Sequence, residues 1–241
     1  MRALRRLLGW TVAAALLALA AFLLWTLARG RPQDVPWTPL DLGERPGMFT
    51  GRKLVSLADA PAHCRTLLTR AGVRYERVAP LRAGASCGYA SAVRLRSDGA
   101  RRIALDPREP PLSCPIAAAT AMWEWSVVQP AARKYLGTTV ARIEHLGSYN
   151  CRPIAGSTSW SQHATANAID IAGFQFADGR RLTILNDWRG DGPEATFLRT
   201  VRTGACDLYA TVLSPDYNAA HRDHLHLDQA QRGAWGWRAC R

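Results

Sequence analysis

The feature that most constrains this chain is an uncharged apolar run at residues 7–28, close to the N-terminus. About 20 apolar residues in a helix cross the hydrocarbon core of a bilayer, whereas the apolar part of a signal peptide is about 7–15 residues long. No clean A-x-A cleavage site follows the run. We therefore expect a signal anchor that stays in place, with a signal peptide cleaved after export as the alternative.

Arginines flank the apolar run on both sides, at Arg2, Arg5, Arg6, Arg29 and Arg31. Positive charge before a first membrane helix favours a cytoplasmic N-terminus. This pattern predicts a single-pass protein whose remaining residues lie outside the cytoplasm. The expected organisation is a cytoplasmic N-terminus at 1–6, a transmembrane helix at 7–28, a proline-rich linker at 29–50 and one domain at 51–241.

The net charge of +12 indicates anionic partners such as anionic lipid or wall polymer. Nucleic acid is the obvious rival. The sequence has no helix-turn-helix, zinc-finger or aromatic RNA-binding motif, so we do not expect a nucleic-acid partner.

The six cysteines are widely spread and none forms a C-x-x-C pair, which argues against a zinc ribbon or a thioredoxin motif. An even number of cysteines in an exported chain favours disulfides. The sequence does not choose among the pairings. The one pair we expect is Cys151–Cys206, because these two residues bracket the segment richest in motifs.

Patterns typical of helices and of strands are mixed along the rest of the chain. Residues 116–128 carry apolar side chains at helical spacing, and Pro130 is expected to end or kink this helix. Other segments predict helices at 58–72 and 194–203 and strands at 138–146, 166–172 and 225–228. The mixture predicts an α+β domain with a small, mostly antiparallel sheet and flanking helices.

Four of the six histidines lie in two short segments, at His163 and at His221, His224 and His226. Alternation along a strand directs Asp170 away from its two isoleucine neighbours. It also directs His224, His226 and Asp228 away from the leucines between them. Two adjacent strands would then aim Asp170 and His226 at one point on the sheet face, and His163 could complete the group.

Two imidazoles and one carboxylate suit Zn²⁺ and leave its fourth position to water, as in catalytic zinc sites. Hydrolysis at such a site also needs a base to move a proton. Both Asp223 and His224 are candidates for this base. Strand parity favours His224, while Asp223 could reach the site from the turn before the strand.

These motifs resemble those of known families. Ser161-x-His163 with Ala168-x-Asp170 resembles the box of the LAS metallopeptidases, which include lysostaphin, D-Ala-D-Ala peptidases and sonic hedgehog. His221-x-x-His224-x-His226 resembles the penicillin-insensitive murein endopeptidases. The stretch from SYNCRPIAGS to HRDHLHLD is similar to the bacterial extensin-like C-terminal domain family, over most of residues 35–241. The chain differs from the usual S-x-H-x-x-G pattern, because SQHATA lacks the glycine.

The resemblance implies a role for each residue. His163, Asp170 and His226 would be zinc ligands, and His224 and Asp223 would act as base or transition-state stabiliser. Arg152 would steady a carbonyl or carboxylate of the substrate. Ser161, His221 and Asp228 are expected to support the ligands from outside.

We therefore expect a zinc-dependent peptidase that acts on peptidoglycan stem or cross-link peptides, a murein endopeptidase or D,D-carboxypeptidase-like enzyme. It would be anchored in the inner membrane with its domain in the periplasm. Two alternatives remain open, a wall-binding module that keeps zinc without catalysis and an exported structural domain without metal.

Overall fold

The computed structural model describes residues 2–233 and 238–241. Met1 and residues 234–237, which belong to the predicted N-terminus and domain, lie outside the described residues. The helices are α1 (Arg2–Gly30), α2 (Thr50–Ser56), α3 (Pro61–Arg70), α4 (Cys114–Trp123), α5 (Gln129–Leu136), α6 (Ile184–Asp187) and α7 (Pro193–Ala205). The strands are β1 (Tyr75–Arg77), β2 (Leu81–Arg82), β3 (Gly88–Tyr89), β4 (Val93–Leu95), β5 (Ala104–Asp106), β6 (Val140–Gly147), β7 (Ala168–Phe176), β8 (Arg181–Thr183), β9 (Thr211–Leu213), β10 (Leu225–Asp228) and β11 (Ala239–Cys240).

Seven strands form the main sheet, in the order β11-β9-β10-β7-β6-β5 with β8 paired to β7. The pairs β5–β6 and β9–β11 are parallel, and the others in this sheet are antiparallel. Two small two-stranded sheets, β1–β4 and β2–β3, accompany it. The mixed architecture of small sheets with flanking helices is therefore confirmed, together with a mostly antiparallel main sheet.

The hydrophobic core lies between one face of the main sheet and the helices that cover it. Every residue of α4 is buried. Its Trp123 packs against Phe174 of β7, with ring centroids 6.0 Å apart, and Phe174 packs against Phe197 of α7 at 5.1 Å. This face of the sheet is closed by helices, so polar chemistry on the main sheet is restricted to the opposite face.

The helix predicted at 116–128 is longer than expected, because Pro130 does not end it. A π-helical turn at Glu124–Val128 connects α4 to α5, which continues to Leu136. Proline lacks the N–H that an α-helix needs and its ring crowds the carbonyl of residue i−4, here Ser126. A π turn directly before Pro130 lets the chain keep its helical course.

The predicted linker at 29–50 contacts the domain along its length. Arg29 and Gly30 complete α1, and Pro32–Asp34 forms a single 3-10 turn. Leu40 and Leu42 are buried in the hydrophobic core. The segment that follows the apolar helix therefore contributes side chains to the folded domain. Helix α1 itself is long and apolar enough to cross a membrane or to serve as a signal sequence.

The expected Cys151–Cys206 disulfide is wrong. The structure pairs Cys64 with Cys114, Cys87 with Cys151, and Cys206 with Cys240, and these three pairs account for all six cysteines, each of which lies in the described part of the chain. Cys151 lies opposite the β2–β3 hairpin, whereas Cys206 follows α7 and lies opposite β11. Bracketing a motif in sequence therefore did not place the two cysteines together in space.

A buried ion pair joins the π turn to the segment that leads into β5. Arg101 Nε lies 2.8 Å from Glu124 Oε2, and both side chains are almost fully buried. The other carboxylate oxygen of Glu124 accepts hydrogen bonds from the backbone N–H groups of Arg102 and Ile103, at 2.8 and 3.2 Å. One side chain thus neutralises a buried cation and accepts from two backbone donors.

We expect Glu124→Ala to lower the free energy of unfolding by about 3–5 kcal/mol, because it leaves the Arg101 charge buried without a partner. Urea unfolding followed by circular dichroism measures the change. Glu76→Ala, at an exposed glutamate on β1, is the matched control and should change stability by less than about 0.5 kcal/mol. A loss at Glu124 no larger than in that control would contradict the role of the pair.

Candidate metal centre

Strand pairing brings Asp170 and His226 together. The two residues are direct partners in the antiparallel β7–β10 pair. The flanking Ile169, Ile171, Leu225 and Leu227 are fully buried in the core. The predicted parity is confirmed, because these four apolar neighbours enter the core and the two polar side chains meet on the opposite face.

His163 reaches the same point from a 3-10 turn, Gln162–Thr165, that precedes β7. Ser161 caps this turn, because its hydroxyl accepts the backbone N–H of His163 at 3.3 Å. Ala166 ends the turn in the left-handed conformation, at φ 55°, and turns the chain into the strand. Ser161 therefore positions the backbone of His163.

The three side chains converge closely. His163 Nε2 lies 3.1 Å from His226 Nδ1 and 3.2 Å from Asp170 Oδ2, and His226 Nδ1 lies 2.9 Å from Asp170 Oδ1. Ligand atoms at about 2.0–2.1 Å around a tetrahedral Zn²⁺ lie about 3.3 Å apart. The separations are thus close to those that such an ion requires.

In both His163 and His226, the ring nitrogen that faces away from the group already has a hydrogen-bond partner. His163 Nδ1 lies 2.6 Å from the carbonyl oxygen of Ser148, and His226 Nε2 lies 3.0 Å from Asp228 Oδ2. Both partners are acceptors, so each of these nitrogens carries a proton. Asp228 therefore holds the outer nitrogen of His226. Ser148 was not foreseen, because any residue type can supply a backbone carbonyl.

With both imidazoles neutral, three lone pairs would face one another, at His163 Nε2, His226 Nδ1 and an Asp170 oxygen. Such a group is repulsive unless a cation lies between them, either a proton or a metal ion. Burial lowers the pKa of His226, but hydrogen bonds to Asp170 and Asp228 outweigh it and raise the pKa to about 9. Burial likewise opposes ionisation of Asp170, but hydrogen bonds from His163 and His226 hold its pKa well below the usual range.

The raised pKa of His226 and the lowered pKa of Asp170 both favour a positive charge between the three side chains. The orientation of two histidines by outer acceptors is the pattern that metal-ligating histidines show. Among the residues that the structure describes, His163, Asp170 and His226 form the group that could hold a metal ion. The donor set fits a zinc ion.

Comparison with protein families matches residues 62–241, most of the chain, to the family described as extensin-like protein C-terminus. The chain belongs to this family. Comparisons with curated proteins and with solved structures find no match. The extensin-like resemblance seen in the sequence is thereby confirmed. His163, Asp170 and His226 all lie inside the matched region.

In this extensin-like domain, His224 and Asp223 lie beside the group formed by His163, Asp170 and His226. His224 Nδ1 lies 2.9 Å from Asp223 Oδ1, and this hydrogen bond lowers the pKa of Asp223. His224 Nε2 points towards the cluster and lies 3.7 Å from Asp170 Oδ1. This distance is too long for a hydrogen bond, so Nε2 remains available to another partner. The two residues are thus a unit in which Asp223 orients His224.

His221 and Arg152 occupy the rim of the site rather than its centre. The ring of His221 lies 5.2 Å from that of His224, and its Nδ1 is 2.7 Å from Asn218 Oδ1. Burial, followed by the charges of His224 and His226, lowers the pKa of His221 to about 4. His221 is therefore a neutral imidazole near neutral pH.

Arg152 is exposed, on an arm of residues 151–160 that precedes His163 and is tied at its base by the Cys87–Cys151 disulfide. The backbone of the arm closes through the Pro153–Trp160 bridge and through the hydrogen bond from Ser161 N to Arg152 O. The charge of Arg152 acts on His221 and contributes to the lowering of its pKa. Arg152 thus lies near the mouth of the site without contacting the three converging atoms.

Proposed function

We propose that this extensin-like domain is a zinc-dependent peptidase that acts on peptidoglycan stem or cross-link peptides in the cell envelope. The observation that carries the proposal is the convergence of His163 Nε2, His226 Nδ1 and an Asp170 carboxylate oxygen beside the free Nε2 of His224. The resemblance of the S-x-H and A-x-D motifs to the LAS metallopeptidases supports it.

The ligands would be His163, Asp170 and His226. When bound by these residues, zinc would supply a water molecule activated for nucleophilic attack near neutral pH. His224 would take a proton at Nε2 and return it to the leaving amine, since its Nδ1 proton is held by Asp223. Asp223 would thus fix the tautomer and orientation of His224.

Arg152 would bind the substrate. Its guanidinium, on the exposed arm near His221, offers paired donors that match a carboxylate or a peptide carbonyl. Stem peptides carry free carboxylates, which the Arg152 guanidinium would attract.

The proposed location is the inner membrane, with a single pass through α1 and the domain in the periplasm. The length and composition of α1 and the three disulfides support export to an oxidising compartment. Secretion after cleavage of α1 as a signal peptide is the alternative. The mass of the mature protein distinguishes the two.

A digest of purified peptidoglycan tests the activity. We expect the full chain, reconstituted in detergent with one equivalent of zinc, to release peptide fragments that mass spectrometry identifies. The same protein treated with a chelator should release none, and restoring zinc should recover the activity. Binding to peptidoglycan at full zinc content without any release of fragments would instead indicate the wall-binding module.

A further inference from the structure

The hydrogen bonds of Asn218 fix the tautomer of His221, at the rim of the candidate metal centre. Asn218 Oδ1 accepts the backbone N–H of Ala220 at 3.1 Å and lies 2.7 Å from His221 Nδ1. A backbone N–H can only donate, so the Asn218 atom that faces both groups is the amide oxygen. His221 Nδ1 must therefore donate to this oxygen and carries a proton. In the neutral ring, the lone pair then lies at Nε2.

The second ring nitrogen of His221 is open to another molecule. In the described part of the chain, His221 Nε2 has no hydrogen-bond partner, and the side chain is half-buried rather than enclosed. Both ring nitrogens of His163 and of His226, in contrast, have partners within the protein. His221 therefore offers an acceptor that a bound molecule can use.

The loop that carries His221, residues 214–222, is held in place by contacts away from the metal centre. Asp216 Oδ1 accepts the indole N–H of Trp188 at 2.9 Å, and Trp188 is buried. The exposed ring of Tyr217 lies beside His221, with the two ring centroids 5.7 Å apart. His221 is thus presented by an anchored loop and is flanked by a second ring.

The distance of His221 from the metal centre determines which part of a bound peptide can reach it. The ring centroid of His221 lies 6.1 Å from that of His226 and 5.2 Å from that of His224. An extended peptide advances about 3.3–3.6 Å per residue. A peptide with one carbonyl at the centre would therefore bring backbone one or two residues away to His221. The group that this backbone offers to an acceptor is the amide N–H.

We propose that His221 Nε2 accepts a hydrogen bond from a backbone amide N–H of the wall peptide, one or two residues from the group that lies at the metal centre. Asn218 is the positioning residue that holds the accepting tautomer. The inference rests on the proposed function only in that the bound molecule is a wall peptide, and a wall-binding module without catalysis would satisfy it equally. It gives His221 a role in recognition, distinct from proton transfer by His224 and Asp223.

Replacement of single amides by esters tests this hydrogen bond, because the ester oxygen cannot donate. The probes are a synthetic stem peptide and analogues with one ester at each position in turn. Calorimetric titration of the full chain in detergent, with one equivalent of zinc at pH 8, gives their affinities, and kcat/KM replaces affinity for peptides that are cleaved. This pH lies above the ordinary histidine pKa of about 6.5, so the ring is neutral. We expect one ester to weaken binding by about 2–12-fold, as for one net hydrogen bond.

The variant His221→Phe removes the acceptor and keeps an aromatic ring. The affinity ratio between the amide peptide and the sensitive ester should disappear in this variant, because neither peptide can then form the bond. A purely structural role of His221 would weaken both peptides alike and leave the ratio unchanged. His221→Gln, whose side-chain carbonyl can accept, should keep part of the ratio. The matched control His63→Phe, at an exposed histidine of α3, should keep all of it.

The outcomes separate this inference from the peptidase proposal. An unchanged ratio in His221→Phe, no ester-sensitive amide in the wild type, or no binding of any stem peptide would overturn the inference. Release of fragments from peptidoglycan together with an unchanged ratio would leave the peptidase proposal standing. A ratio that depends on His221, in a protein that releases no fragments, would support the inference and refute the peptidase.

Discussion

Replacement of His163 by alanine is expected to abolish stoichiometric zinc binding and all peptidoglycan hydrolysis. The side chain supplies one of three converging atoms, and the contact of its Nδ1 with the Ser148 carbonyl fixes the orientation of its ring. Loss of a residue outside the ligand set costs about 10–100-fold in metal affinity, and loss of a ligand should cost more. Zinc titration of the purified variant, with metal content measured by mass spectrometry, gives the result.

The matched control is His63→Ala, which removes an exposed histidine of α3. This variant should keep wild-type zinc affinity and activity. Melting curves add an independent measurement, because a metal that binds the folded state stabilises it by linkage. Zinc should raise the melting temperature of the wild type and of His63→Ala but not of His163→Ala. If His163→Ala binds zinc as tightly as the wild type, the ligand assignment is wrong.

The centre of the site could be predicted because strand alternation is a local property of the sequence. In A-I-D-I-A and H-L-H-L-D, Asp170 and His226 each lie between two apolar residues that must be buried, so their direction follows from the period of two. The pairing of β7 with β10 cannot be predicted from either segment alone. We expected it because both segments carry potential metal ligands, and the observed pairing of Asp170 with His226 agrees with that expectation.

Other features depend on contacts between distant segments, which the sequence does not encode in any short pattern. The disulfide between Cys87 and Cys151 requires that the β2–β3 hairpin lie beside the arm at 151–160. The Ser148 carbonyl that orients His163 carries no residue-type signal at all. The Arg101–Glu124 pair was missed because charged residues are rarely fully buried, which makes exposure the default expectation for both.

The two candidate bases differ in their geometry at the site. Sequence parity favoured His224 and left Asp223 as the alternative. The Asp223 carboxylate contacts His224 Nδ1, and the free Nε2 of His224 points towards the cluster. Asp223 is thus placed to act through His224.

We therefore expect His224→Ala to retain zinc while turnover falls by roughly 10²–10⁴-fold, the range typical of lost general acid–base catalysis. Asp223→Ala should retain zinc and lose less, because His224 remains but its tautomer is no longer fixed. Residues that act as one unit are not additive in their effects. The double variant should consequently be no slower than His224→Ala alone. The measurements are release of muropeptides under substrate saturation and zinc content on the same samples.

Two results would contradict this assignment in different ways. If Asp223→Ala and His224→Ala lose activity independently, so that their losses multiply in the double variant, Asp223 has a role of its own at the site. If His224→Ala instead weakens zinc binding by about 10–100-fold and turnover recovers at saturating zinc, His224 only orients a ligand. His224 Nε2 lies only 3.7 Å from Asp170 Oδ1, so His224 is close enough to orient this ligand. Turnover must therefore be measured at saturating zinc. Retained zinc with lost turnover that added metal does not restore is the outcome that identifies His224 as the base.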